Sequence, residues 1–125
     1  AFRLVCLSQQ GEGLENIWEL DENVADVSLA CRCAQSGWMN IASDVGRWLA
    51  LGELSGERNR HSEAQLSIPI CTESGGVLGV VHVEFKKAGC ADEAAQVEWI
   101  ALALALSEPL KHLLGITAAE GAENV

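Results

Sequence analysis

The stretch that most constrains the fold runs from Glu63 to Leu113: a strand, a tight glycine turn, a second strand and a long apolar helix. Ala64–Cys71 and Val77–Lys86 carry apolar stripes at every second residue, the period a strand requires. They are joined by Thr72-Glu73-Ser74-Gly75-Gly76, a short glycine-bearing link that reads as a hairpin turn. A turn centred on Ser74-Gly75 sets Ile68 opposite Val81 and Leu66 opposite Val83 on one face. The same register sets Ser67 opposite His82 and Gln65 opposite Glu84 on the other. A slip of one residue would exchange the two faces.

The helix that follows starts at Asp92, a capping residue, with Glu93 in its first turn. Val97, Trp99, Ile100, Ala101, Leu102, Leu104 and Leu106 give it an apolar surface broader than one sheet face needs. Pro109 predicts a kink or restart, because it removes one backbone hydrogen bond. Gly115 predicts the end. Residues 1–115 read as one domain and 116–125 as a flexible acidic tail.

Upstream, Phe2–Ser8 and Leu14–Leu20 read as an N-terminal hairpin, with Gln9-Gln10-Gly11-Glu12-Gly13 as its turn. Asp21-Glu22-Asn23 reads as a helix start, with helical spacing over Val24–Gln35 and Gly37 as the stop. Met39-Asn40-Ile41 is a short extended piece. Ser43–Gly52 fits a short helix with Trp48, Leu49 and Leu51 as its apolar side. Ser55–Ser62 reads as a mobile loop. Two hairpins with helical material between them, then a helix, predict an α+β fold with an antiparallel sheet.

Composition narrows the function. The chain has 125 residues, 8 basic against 18 acidic, for a net charge of −10. That opposes binding to nucleic acid or to an anionic membrane, both of which require basic patches. No run of 18 apolar residues offers a membrane span. The five cysteines (Cys6, Cys31, Cys33, Cys71 and Cys90) include no CxxC pair. They read as free thiols in a reducing, cytoplasmic compartment. No signal peptide is visible, and Ala1 opens into a strand pattern without a Met start, so the chain reads as a piece of a longer protein.

Three segments carry a family resemblance. Ser62-Glu63-Ala64-Gln65-Leu66-Ser67-Ile68-Pro69-Ile70 resembles an "S-x-x-x-x-P-I" strand. Gly76-Val77-Leu78-Gly79-Val80-Val81-His82-Val83 resembles "G-x-x-x-G-V-L-x-L". Ser28–Gly37 with Met39-Asn40-Ile41 and Asp44 resembles "a-x-x-v-x-x-t-G-x-p-l-x-i-x-D". Taken in chain order, with the Ser28–Asp44 piece first, they resemble the GAF domain, the small-molecule sensor module of signalling proteins, over roughly residues 2–115. The resemblance implies a GAF/PAS-like central antiparallel sheet, with helices packed on one face and a possible ligand pocket on the other. Family members usually begin with a helix before the first strand, and none is visible here. The chain thus reads as N-terminally truncated relative to the family. The missing helix would leave the apolar side of the 92–114 helix free for a dimer mate or a neighbouring domain.

By likeness, the pocket lies under the Gly37–Ser62 segment with Ser67 and His82 as its floor. Trp38, Arg47, Trp48 and His61 lie on the segment that would roof it. Aromatic walls with one cation suit a planar or anionic ligand. Each residue also has a plainer reading. His82 can be a strand histidine satisfied by a neighbour, the tryptophans can be core filler, and Arg47 and His61 can be solvated.

The expected function is a non-enzymatic sensory or regulatory domain that binds an unidentified small molecule, without cofactor or metal. It would signal or dimerise through its last helix. One alternative is a redox enzyme of the free methionine-(R)-sulfoxide reductase type. Leu29-Ala30-Cys31-Arg32-Cys33-Ala34 resembles that group's "G-V-C-G-x-A" piece, but lacks its glycines. The second cysteine of that type is replaced by Asn59-Arg60-His61. The other alternative is a ligand-free dimerisation module. The Asn-Lys-x-x-x-Phe pattern of cyclic-nucleotide-binding members is absent, as are a Cys-His pair for bilin attachment, a Ser-His-Asp set and a His/Asp metal cluster.

Overall fold

The computed structural model describes residues 2–7, 17–20, 28–55, 59 and 62–115. The order of elements is β1 (Phe2–Val5), β2 (Ile17–Leu20), α1 (Leu29–Ser36), β3 (Asn40–Ala42), α2 (Val45–Ala50), β4 (Ala64–Cys71), β5 (Val77–Phe85) and α3 (Glu93–Leu113). The tail at 116–125 lies outside the described residues, as do Arg58, Arg60 and His61. This is an α+β architecture, as the two-hairpin pattern predicts.

β1 and β2 pair antiparallel, from Phe2 opposite Leu20 to Val5 opposite Ile17. A second antiparallel sheet has the order β3-β4-β5. Its hairpin keeps the register the turn implies. Leu66 lies opposite Val83, Ile68 opposite Val81, Ser67 opposite His82 and Gln65 opposite Glu84. The turn is held by Thr72 N–H donating to the Gly76 carbonyl at 2.8 Å, and by Gly75 N–H donating to the Thr72 carbonyl. Gly75 has φ 90°, a backbone state that a Cβ disfavours. Between Ile70 and Cys71 the pairing shifts, leaving Leu78 as the extra residue of a bulge.

The sheet separates its two faces by residue parity. Ala64, Leu66, Ile68 and Ile70 face α3, and Trp99, Ile100, Ala103 and Leu110 of the helix close on them. Those helix residues recur at helical spacing, so one side of α3 covers the whole stripe. Gly79 permits the approach, since a Cβ there would stand 3.0 Å from Leu110 Cδ2. Asp92 caps the helix by accepting from Ala95 N–H at 2.9 Å. α3 runs through Pro109 without a break. Ala105 and Pro109 are both exposed, so water can satisfy the carbonyl that the missing N–H leaves.

The other face, bearing Gln65 and Ser67, is covered by α1, which contacts both β4 and β5. A small second cluster sits at its β3 end, where Leu29, Ala42, Val45 and Leu54 are packed by Trp48 and Leu49 of α2. The Asp21-Glu22-Asn23 helix start lies outside the described residues, and helix α1 itself starts from its cap at Ser28. Ser28 is extended at φ −127° and caps the helix, accepting from Cys31 N–H. Gly37 closes it with φ 73°.

A candidate ligand-binding face on the sheet

The polar side of the β4–β5 hairpin brings together two of the residues singled out from the sequence. Ser67 Oγ lies 2.7 Å from His82 Nδ1. Ser67 is fully buried. The His82 side chain keeps 24% exposure, and its Nε2 stands 3.8 Å from Glu84 Oε2. Burial of the ring pushes its pKa down to about 4. The imidazole is therefore neutral at pH 7. A proton on Nε2 makes Ser67 Oγ the donor to Nδ1, whereas a proton on Nδ1 makes that oxygen the acceptor.

One step along the same face, Gln65 is 1% exposed. Its Nε2 has three acceptors in reach: Ser62 Oγ at 2.8 Å, Asn59 Oδ1 at 3.0 Å and Glu84 Oε1 at 3.4 Å. Among the described residues its Oε1 is buried without a hydrogen-bond partner. Asn59 and Ser62 belong to the segment whose polar sequence reads as a mobile loop, yet both are buried and tied to the sheet. Alternation alone shows that Gln65 and Glu84 share this face. It does not show that two loop residues converge on the amide.

The remaining residues singled out from the sequence are dispersed. Trp48 packs on the Leu29 cluster, and the Arg32 guanidinium lies 5.4 Å from its ring centroid. Arg32 also donates to the Glu53 carbonyl, so it bridges α1 to the end of α2. Trp38 is 76% exposed, just past the Gly37 cap. Arg47 is exposed on α2, where its N–H is capped by Asp44. His61 lies outside the described residues.

The thiols of α1 are sealed from solvent. Cys31 and Cys33 are both fully buried. Burial first, and the neighbouring Cys71 second, push the Cys33 thiol up to about 12, so it stays protonated at neutral pH. The five cysteines carry thiols rather than disulfides. Among the described residues no group of three or more His, Cys, Asp or Glu could hold a metal ion. No helix among them is long and apolar enough to cross a membrane.

A search of solved structures returns a chain described as the structure of the GAF domain. It superimposes with a TM-score of 0.61 at 16% identity, covering 79% of this chain and 51% of that one. This chain thus spans about half the length of the solved chain that it matches. The likeness shows a GAF-like fold. No protein-family profile matches the sequence, and no curated protein matches it.

Proposed function

We propose that the chain is a non-enzymatic sensory or regulatory domain that binds a small molecule between the polar face of its sheet and α1, and responds through α3. The observation that carries this reading is the two-faced hairpin within a GAF-like fold. One face holds a buried polar row, while the other is locked to a single long helix. A ligand that favours one packing of the sheet would also bias that helix. The exposed leucines of α3 suit contact with a dimer mate or a neighbouring domain, and a cytoplasmic setting suits the free thiols. Cys31, which stands at the cysteine of the reductase-like piece, is fully buried, and this weighs against the reductase alternative.

The test is a thermal-shift screen of the chain against small metabolites, with calorimetry on any hit. A true ligand at 100 times its dissociation constant adds about 2.7 kcal/mol of stability. That gain should shrink in Ser67→Ala or His82→Gln if the polar face is the site. Turnover of free methionine sulfoxide, lost on Cys31→Ser, would overturn the reading in favour of the reductase.

A further inference from the structure

We propose that the outer side of α3 docks a partner's amphipathic helix whose apolar stripe is flanked by lysine or arginine. The proposal rests on the reading of α3 as the responding element and adds the chemistry of what meets it. α3 turns Trp99, Ile100, Ala103 and Leu110 to the sheet. Yet it leaves Val97 63%, Leu104 73% and Leu113 68% exposed, with Leu102 and Leu106 exposed between them. From Ala101 to Leu106 the helix carries no polar side chain. A helix with one side in water ordinarily carries polar residues there. Here the exposed apolar surface extends from Val97 to Leu113, about 24 Å or about four turns, which matches the length of a second helix. Single exposed leucines are ordinary, whereas a continuous row of them marks an interaction surface.

Charge selects the partner. The exposed ionic side chains of α3, His112 apart, are Glu93, Glu98 and Glu108, all acidic. Lys111 is buried and engaged with Glu108 at 3.1 Å and Glu73 at 3.9 Å. A second copy of this chain therefore brings acids to acids in either orientation, and each copy carries a net charge of −10. The segments of this chain outside the described residues do not supply the complement. Residues 8–16, 21–27 and 116–125 hold acidic residues and no lysine or arginine, and Arg58 and Arg60 stand in a stretch without apolar residues. A helix with an apolar stripe and basic flanks meets both the leucines and the acids.

Three synthetic peptides of about 18 residues test this, each with leucines at helical spacing and with lysine, glutamine or glutamate on the flanks. Each carries a fluorophore and is titrated with the full chain while its anisotropy is followed. The lysine peptide should bind saturably and about 10-fold or more tighter than the glutamine peptide, with the glutamate peptide weakest. Raising the salt from about 0.05 to about 0.5 M should narrow that gap. Leu104→Lys should weaken the lysine peptide by about 10-fold or more. Leu51→Lys places the same charge on another exposed leucine, just past α2, and should leave binding within about 2-fold. Equal binding of the lysine and glutamine peptides, no binding of the lysine peptide, or equal losses in the two variants would overturn the proposal. So would a dimer of the unaltered chain that Leu104→Lys converts to monomers, because a second copy would then cover α3. The small-molecule reading of the polar face stands or falls separately, on the metabolite screen.

Discussion

Leu66 and Ser67 are neighbours on β4 and both are fully buried, yet different forces hold them. Leu66 points into the stripe that α3 covers, where Ala64, Ile68 and Ile70 pack beside it. Its stabilisation comes from apolar area removed from water and from close packing. Ser67 points the other way, under α1, where burial alone would cost free energy and its bond to His82 offsets that cost. One strand thus separates an apolar packed face from a buried face held by side-chain hydrogen bonds. The apolar face tolerates little change in volume. The polar face tolerates little change in hydrogen bonding.

The sharpest way to break this contrast is Leu66→Ala. It should cost about 2–5 kcal/mol, the range for emptying a packed aliphatic site, read as a lower midpoint in urea. A cost below about 1 kcal/mol would mean that α3 is not locked to the sheet in solution.

The polar face should reveal itself through pH. The folded pKa of His82 is about 4, below the ordinary 6.5. Between those values the unfolded chain takes up a proton that the folded chain refuses. The contribution of His82 is therefore fully present above pH 6.5 and is lost as pH falls towards 4, by at most about 3 kcal/mol. Urea midpoints measured across pH 4–7 should fall more steeply for the unaltered chain than for His82→Gln. Equal slopes would show that the ring is well hydrated. Ser67→Ala should cost somewhat less, about 1–3 kcal/mol, by stranding Nδ1. It should do so with little change in the urea m-value, which follows the surface exposed on unfolding.

The structural face is the more legible of the two in the sequence, and the reason is physical. Period-two alternation and a glycine turn determine which residues pair, so the register of Leu66 with Val83 follows from local pattern alone. The start of α1 at Ser28 is less legible, because the apolar spacing of the sequence reads on unbroken from Val24 to Gln35. Ser28 caps the helix because the residues after it, Leu29, Cys31 and Cys33, have a face to bury against. The polar face is legible only in part. Ser67 and His82 follow from the register, but the environment of Gln65 depends on Asn59 and Ser62. Those reach it from a loop that carries no periodic signal. The exposure of Trp38 is equally invisible, because an aromatic residue beside a helix stop fits core and surface alike.

The smallest expected effect concerns another pair of neighbours, Ala103 and Leu104, on α3. Ala103 is buried against the sheet, whereas Leu104 is 73% exposed. Leu104→Lys should change stability by no more than about 0.5 kcal/mol in the isolated domain, since it leaves no cavity and keeps a good helix former. This small effect makes it informative, because any larger consequence must come from a second molecule. If the outer side of α3 meets a dimer mate, burying a lysine there costs far more than leaving it in water. Light scattering should then report a lower mass for Leu104→Lys than for the unaltered chain, with the monomer still folded. Equal masses and equal stability would leave the outer side of α3 as solvated surface within this chain. The contrast between the two faces of the sheet would then account for all that α3 does here.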